Sequence, residues 1–121
     1  MPTFNKHRRL IRSIQFKRVF QKPLKSSDSC FVVLARPNQQ DQQIARLGLA
    51  IAKKQLRRSV DRNRIKRIVR EHFRLKVSNE CGLDFVVMAR SSAKDYSNEK
   101  LSYFLERHFQ RLISRQSNSL T

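Results

Sequence analysis

The sequence predicts a small α/β (α+β) sandwich in which one sheet is packed with helices, in the element order α-β-β-(β)-α-β-α. Two short runs rich in β-branched and aromatic residues, and a third that alternates in side-chain size, have the length of strands. Two longer stretches repeat apolar residues at the three- and four-residue spacing of amphipathic helices. The 121 residues contain no repeat and no internal linker. Strands interleaved with helices in a chain of this length favour a single domain over residues 1–121.

The N-terminal part of the chain predicts a basic arm, a short helix and a loop. Residues 1–12 carry four Lys or Arg residues and little apolar periodicity, which is typical of a basic arm. An amphipathic helix begins at Ser13, a candidate N-cap, and ends by Pro23 because proline cannot continue a helix. Residues 25–29 are polar and predict a loop.

The middle of the chain predicts two strands. Residues 31–34 form a β-branched and aromatic run, and residues 47–54 alternate in side-chain size. The segment 37–43 between them is rich in Asn, Gln and Asp, which suits a loop that closes a hairpin. A further short strand near residues 44–47 is the parenthesised element of the predicted order.

The C-terminal part of the chain alternates helix and strand. Its helices are assigned from their apolar spacing, and its strand from a continuous apolar run that follows a glycine. The predicted elements are a basic helix at 59–76, a turn at Gly82, a strand at 84–90, a loop at 91–95, a helix at 97–115 and a flexible tail at 116–121.

The charge balance indicates a polyanionic partner. The formal net charge is +18, with 27 Lys or Arg residues against nine Asp or Glu residues. The first 60 residues alone carry 14 cations against two acids. Because acids are so few, internal ion pairs cannot neutralise most of the cations, and the remaining repulsion is relieved by binding a polyanion.

Neither a membrane segment nor an exported protein is indicated. No apolar run approaches the roughly 20 residues of a membrane-spanning helix, and residues 1–12 lack the apolar region of a signal peptide. A basic arm is also typical of an organellar transit peptide, but here the cations continue to the C-terminus. Cys30 and Cys81 have no Cys or His at ligand spacing, which favours reduced thiols. We therefore expect a cytoplasmic protein without a membrane partner.

The most informative segment is residues 53–76, where 11 of 24 residues are Lys or Arg. Ile65, Ile68, Val69 and Phe73 fall on one face of the predicted helix. A solvated charged surface is the common alternative, but like charges four residues apart destabilise a helix, so a phosphate partner is favoured. The opposite side, here called the cationic ridge, consists of Asn63, Lys66, Arg67, Arg70 and Arg74, flanked by Arg62 and Arg64.

Residues 46–54 (RLGLAIAKK) followed by residues 62–70 (RNRIKRIVR) resemble the protein subunit of bacterial ribonuclease P. The resemblance covers about residues 6–113 and implies an α/β sandwich around a mixed sheet. It also implies a left-handed βαβ crossover that contains the Arg-Asn-Arg helix, although such crossovers are nearly always right-handed. Further matching segments are FKRVF at 16–20, FVVL at 31–34 and FVVMAR at 85–90.

The resemblance implies a role in removing the 5′ leader of precursor tRNA by hydrolysis of one phosphodiester. The implied partners are a catalytic RNA subunit and precursor tRNA, with no DNA. The chemistry is expected to belong to the RNA and its divalent metal ions, magnesium in particular. No catalytic residue, metal ligand or cofactor is expected on the protein, and its nine acids are scattered along the sequence.

The resemblance also assigns residues to the two RNAs. The pair Phe16 and Phe20 lies four residues apart, so its spacing is equally suited to core packing and to stacking of unpaired bases. In many relatives an aromatic residue occupies the position of Leu34, so one stacking group is absent here. The catalytic-RNA contacts are Arg62, Asn63, Arg64 and Arg67, and the precursor-tRNA leader cleft is lined by Phe16, Phe20, Lys66 and Arg70.

Further basic residues surround these two sets. Lys53 and Lys54 end the second predicted strand, where solvated edge charges are the ordinary interpretation. Their position just before a basic loop favours contact with the phosphates of the catalytic RNA instead. The additional RNA-contact candidates are Arg46 and Arg90, which match basic positions of the family, and the loop residues Arg57 and Arg58.

The residues give less support to three other functions. A structural or ribosomal RNA-binding protein shares this composition but does not need Phe16 and Phe20 beside the cationic ridge. A protein nuclease would need an acidic cluster or a histidine with a catalytic partner, whereas His72 and His108 lie among apolar helix residues. A DNA-binding helix would need a helix-turn-helix partner or a dimer seam.

Overall fold

The computed structural model of the protein describes residues 13–37, 45–77 and 82–119. The predicted basic arm at 1–12 and Cys81 lie outside these residues. The described elements are helix α1 (Ser13–Phe20), strands β1 (Leu24–Ser27), β2 (Phe31–Pro37) and β3 (Arg46–Ala50), helix α2 (Ser59–Lys76), strand β4 (Leu83–Ala89), a 3-10 helix (Ser91–Asp95) and helix α3 (Asn98–Ser119).

The four strands form one mixed sheet in the order β1-β2-β4-β3. Strands β1 and β2 are antiparallel, as are β2 and β4, whereas β3 is parallel to β4. Val87 of β4 lies between Val33 of β2 and Leu49 of β3. Because α2 connects the two parallel strands, the sheet order places this helix in a crossover between the edge strand β3 and the central strand β4.

The two faces of the sheet bury different sets of residues. Alternate residues of β2 and β4 point to opposite faces, as the pleat requires. The larger core contains Val33, Val87 and Phe85, which pack with apolar residues of α2 and α3. Phe85 packs edge-to-face on Phe109 of α3, with ring centroids 5.0 Å apart. On the other face, Val19 of α1 belongs to a smaller buried cluster with two strand residues.

Strand β1 corrects the prediction of a polar loop at 25–29. It pairs with β2, from Leu24 opposite Ala35 to Ser27 opposite Val32. Its sequence, Leu-Lys-Ser-Ser, has little strand propensity, so the pairing and the burial of Ser26 beneath α3 override the local preference.

Three other element predictions are also corrected. The predicted hairpin between the second and third strands is wrong, because β2 and β3 both pair with β4. The predicted strand at 47–54 begins at Arg46 and ends at Ala50, and the extra strand near 44–47 merges into it. The predicted tail is helical as far as Ser119.

The basic helix has the predicted bounds, Ser59 to Lys76. Of the described helices, none is both long and apolar enough to cross a membrane.

Candidate RNA interface

Helix α2 is held by one buried face and presents the cationic ridge on the other side. Ile65, Val69 and Phe73 are fully buried in the larger core. Arg67 and Arg70 are exposed. The spacing of apolar residues therefore orients the helix as the sequence predicts. The remaining ridge residues are exposed (Asn63) or half-buried (Arg62, Arg64, Lys66 and Arg74).

The two arginines of the Arg-Asn-Arg motif are engaged inside the protein. Arg62 donates from Nη1 to the carbonyl oxygens of Leu56 and Arg57, both at 2.8 Å. These bonds hold the loop that precedes α2. Sequence periodicity had placed both motif arginines at the flanks of the ridge, but periodicity carries no information about contacts with loops.

Arg64 reaches across to a different part of the chain. Its Nη1 donates to Asn98 Oδ1 at 2.7 Å and to the carbonyl oxygen of Tyr96 at 3.2 Å. Its Nη2 donates to the carbonyl oxygen of Lys94 at 3.0 Å. One guanidinium group thus joins α2 to the 3-10 helix and to the start of α3.

A basic pocket of about 670 Å³ lies between the loop before α2 and the 3-10 helix. Its walls are linked by a hydrogen bond of 3.2 Å from the backbone N–H of Ser91 to Gln55 Oε1. The charged residues that line this pocket, here called the basic pocket, are Lys54, Arg57, Arg58, Asp61, Lys94 and Asp95.

The other predicted cations differ in their surroundings. Lys53 and Lys54 are exposed, and they lie in the turn that follows β3 rather than at the end of a strand. Arg90 is also exposed, at the start of the 3-10 helix. Arg46 is the exception, because it is buried against Asp84 with bonds of 2.6 and 2.7 Å. The structure therefore removes Arg46 from the set of RNA-contact candidates.

The two phenylalanines of α1 do not belong to the core. Val19 is the fully buried residue of this helix, while Phe20 is 47% exposed. Phe16 is half-buried and packs at the border of the smaller cluster, which contains Leu34 and Val86. Core packing therefore does not account for Phe20, and it accounts for Phe16 only in part.

The predicted leader cleft combines residues from two helices. Helix α1 contacts β2 and β4, whereas α2 contacts α3, β3 and the 3-10 helix. Phe16 and Phe20 thus lie on one face of the sheet, and Lys66 and Arg70 lie one turn apart on the helix that begins after its edge strand β3. The family resemblance, rather than a described contact, brings the four residues into one cleft.

A polar network around His108 was not predicted from the sequence. Ser26 Oγ lies 2.6 Å from His108 Nδ1, and Asp28 Oδ2 lies 2.8 Å from His108 Nε2. Arg111 Nη1 donates to Ser26 Oγ at 3.0 Å. With Nε2 protonated, His108 donates to Asp28 and accepts from the Ser26 hydroxyl. Every side chain of the network then has a hydrogen-bond partner. Ser26 is buried under α3, so the network fastens β1 to α3 and offers no accessible nucleophile.

Burial affects the ionisation of both partners in this network. Burial lowers the pKa of His108 below its ordinary value, although Asp28 acts in the opposite direction. Burial raises the pKa of Asp28, but the backbone N–H groups of Phe31 and Cys30, together with His108, outweigh it and hold that pKa below the ordinary value. The described geometry therefore favours a neutral imidazole that donates to an ionised carboxylate.

His72 is a buried residue of α2 and packs on α3. Its ring stacks on Phe109 with centroids 5.7 Å apart and an interplanar angle of 12°. Its Nε2 atom is buried and has no hydrogen-bond partner. Burial lowers the pKa of His72, while Glu106 raises it and Lys76 lowers it further. As expected from the sequence, His72 packs between helices.

Comparison with known proteins identifies the family of this chain. The family model described as Ribonuclease P matches residues 4–113. The ribonuclease P protein component of Methylococcus capsulatus is 46% identical over 116 residues, which cover 96% of this chain and 89% of that protein.

Solved structures agree with the sequence comparison. The RNase P protein of Staphylococcus aureus superposes with a TM-score of 0.77 at 32% identity, covering 85% of this chain and 93% of that one. The RNase P protein of Thermotoga maritima superposes with a TM-score of 0.68 at 27% identity, covering 88% of this chain and 96% of that one. The chain therefore belongs to the ribonuclease P protein family.

Proposed function

We propose that this chain is the RNA-binding, non-catalytic subunit of a cytoplasmic ribonuclease P holoenzyme. Membership of the family gives the protein its role in tRNA processing. The proposal adds that the chain binds a catalytic RNA subunit and the 5′ leader of precursor tRNA. The holoenzyme then removes the leader by endonucleolytic hydrolysis and leaves the mature tRNA 5′ end.

The observation that carries this proposal is the cationic ridge on a firmly anchored helix. Helix α2 contains seven Lys or Arg residues and only two acids, Asp61 and Glu71. Glu71 lies 3.7 Å from Arg74, so one acid is already engaged at the C-terminal end. The exposed cations nearer the N-terminus, Arg67 and Arg70, remain available to phosphates.

The catalytic RNA is assigned to the N-terminal half of α2 and to the adjoining loop. Guanidinium groups bind phosphates through two parallel hydrogen bonds, which suits Arg67 to this contact. Asn63 is exposed on the neighbouring turn and can donate and accept hydrogen bonds at the backbone. The remaining residues of this surface are Arg62, Arg64, Lys53, Lys54, Arg57, Arg58 and Arg90.

The leader is assigned to the surface near α1. The exposed ring of Phe20 and the half-buried ring of Phe16 offer stacking surfaces to unpaired bases. Lys66 and Arg70 supply charge for the leader phosphates. Leu34 is buried beneath α1 and provides no aromatic ring to the cleft.

Catalysis is assigned to the RNA subunit. Divalent ions such as magnesium, bound to that RNA, activate water and stabilise the charge that develops at the scissile phosphate. The contribution of the protein is electrostatic, because its +18 charge offsets repulsion between two polyanions. It also positions the leader through stacking and through phosphate contacts.

Reconstitution with a cognate RNA subunit and a precursor tRNA tests this function. We expect no cleavage by the purified protein alone, and accurate 5′ maturation at physiological magnesium once the RNA subunit is added. A precursor cut one or more nucleotides away from the mature end would show loss of positioning. Robust cleavage by nuclease-free protein in the absence of any RNA subunit would overturn the assignment of catalysis to the RNA.

A further inference from the structure

We propose that the basic pocket binds one backbone phosphate of the RNA subunit, and that Arg62 and Arg64 position its two walls. This inference rests on the proposed function, since it specifies how the protein binds the catalytic RNA. Both arginines belong to the surface assigned to that RNA, and the inference gives them a role beyond phosphate contact.

The pocket has the size and charge for a phosphodiester. Its volume of about 670 Å³ admits a phosphate group with its flanking sugars. The pocket has a formal charge of +2, because four cations and two carboxylates line it. These are Lys54, Arg57, Arg58 and Lys94, with Asp61 and Asp95. A positive pocket attracts the single negative charge of a backbone phosphate.

The start of α2 strengthens this positive potential. Arg58 is the N-cap of the 18-residue helix and forms no side-chain capping bond. The helix dipole places a partial positive charge at this end, where Arg58 and Asp61 line the pocket. The local geometry thus adds to the four side-chain cations.

Arg62 holds the first wall of the pocket. The loop between β3 and α2 carries Lys54, Arg57 and Arg58, and Arg62 donates to the carbonyl oxygens of Leu56 and Arg57. Leu56 is buried in the main core. The loop is therefore fixed both by the packing of Leu56 and by the hydrogen bonds from the Arg62 guanidinium group.

Arg64 holds the second wall. Its two terminal nitrogens donate to the carbonyl oxygens of Lys94 and Tyr96 and to Asn98 Oδ1. The Lys94 side chain lines the pocket while the Lys94 carbonyl accepts from Arg64. A change at Arg64 therefore alters the position of a residue that faces the phosphate.

The geometry of Arg64 distinguishes positioning from contact. Its bonds are divided between Nη1 and Nη2, whereas a lysine has a single nitrogen that cannot reproduce this fork. Arg107 of α3 provides the matched control, because it is exposed, lies outside the surfaces assigned to RNA and has no hydrogen bond or ion pair within the described ranges. Lysine substitution keeps the formal charge at both positions.

The decisive experiment compares full-length Arg64→Lys and Arg107→Lys in binding to the RNA subunit over a range of salt concentrations. We expect Arg64→Lys to lower affinity about tenfold, as loss of a hydrogen bond to a charged group does. We expect it also to flatten the salt dependence by about one phosphate contact. Arg107→Lys should change affinity less than about twofold, because Arg107 lies on α3, outside the surface assigned to the RNA subunit.

A thermodynamic cycle with Lys54→Ala tests whether Arg64 acts through the pocket. If it does, Lys54→Ala weakens RNA binding in the wild-type background and has a much smaller effect in the Arg64→Lys background. Amide exchange in the segment 91–98 should accelerate in Arg64→Lys and stay unchanged in Arg107→Lys. Urea unfolding of each variant ensures that the comparison is made on folded protein.

Two outcomes overturn the inference. One is that Arg64→Lys binds the RNA subunit as tightly as Arg107→Lys. The other is that the effects of Arg64→Lys and Lys54→Ala are additive. Failure of the proposed function is distinguishable from both, because the wild-type protein itself would then fail to bind the RNA subunit.

Discussion

Arg46 and Asp84 form a bidentate ion pair between the parallel strands β3 and β4. Arg46 Nε lies 2.7 Å from Asp84 Oδ1, and Arg46 Nη2 lies 2.6 Å from Asp84 Oδ2. The two residues are direct register partners, and both are buried, with relative exposures of 6% and 2%. A cation that resembles an RNA contact in sequence thus aligns two strands.

Removing one member of this pair should destabilise the protein. Asp84→Ala leaves the Arg46 guanidinium buried without its carboxylate, which costs about 3–5 kcal/mol. The measurement is the free energy of unfolding in urea. The double variant Arg46→Met/Asp84→Leu should recover most of this loss, because no unpaired charge remains. An unchanged unfolding midpoint in Asp84→Ala would contradict the structural role of the pair.

Substitution of Phe20 should separate leader binding from stability. Because the ring is 47% exposed, Phe20→Ala should leave the unfolding free energy nearly unchanged. It should weaken binding of precursor tRNA with a long leader by about 1–3 kcal/mol for each stacked base lost. Phe16→Ala should weaken leader binding similarly, with a larger loss of stability because this ring is half-buried.

The control for this prediction is the neighbouring residue of the same helix. Val19 is fully buried, so Val19→Ala should lower stability by about 2 kcal/mol while leader affinity of the folded protein is retained. Mature tRNA provides the second comparison. Equal weakening of precursor and mature tRNA by Phe20→Ala would show that the ring does not contact the leader.

Binding of the RNA subunit should depend strongly on salt. If about six phosphates are neutralised, a plot of log K against log salt should have a slope of about −4 to −5. Arg67→Ala should flatten this slope by about one unit, without a change in the circular dichroism spectrum, because the side chain is exposed. A slope near zero in the wild type would argue against the cationic ridge as the contact surface.

Stability should decrease on acidification because two buried histidines favour their neutral forms. Burial lowers the pKa of His72 and of His108 below the ordinary value of 6.5. The unfolded chain therefore binds protons first, so stability is fully present above pH 6.5 and decreases as the pH falls below that value. Asp28, whose pKa is also lowered, extends the loss to pH values below its ordinary 3.8.

His72→Leu provides the corresponding variant. It removes a buried Nε2 atom without a hydrogen-bond partner, so it should not destabilise the protein at pH 7.5. The difference in unfolding free energy between pH 7.5 and pH 5.5 should be smaller than in the wild type. A pH dependence identical to that of the wild type would show that His72 does not contribute.

Local patterns predicted the helices better than the sheet. Helix α2 has the predicted bounds because its apolar spacing and its flanking polar residues agree over 18 residues. Strand β1 was missed because a polar tetrapeptide became a strand only through pairing with β2 and burial under α3. The pairing of β4 with two partners distant in sequence has no local signal either.

The candidate site likewise combines features that have a local sequence signal with features that have none. The exposure of Arg67 follows from helical periodicity. The spacing of Phe16 and Phe20 is equally suited to core packing, so only the structure shows that Phe20 is exposed. The partner of Arg46 lies 38 residues away, and that of Arg64 about 30 residues away, beyond the reach of any local pattern. The sequence therefore selected the cations but did not distinguish those that face solvent from those that hold the fold.

The position of β4 at the centre of the sheet has a consequence for synthesis. It is the last of the described strands, yet it is the only described partner of β3 and one of two partners of β2. A nascent chain released before residue 83 therefore carries two strands without their common neighbour. Native pairing joins residues 31–37 to residues 83–89, so the sheet cannot form before residue 89 has been synthesised. Because these contacts are distant in sequence, folding should be slower than that of a helical bundle of equal length.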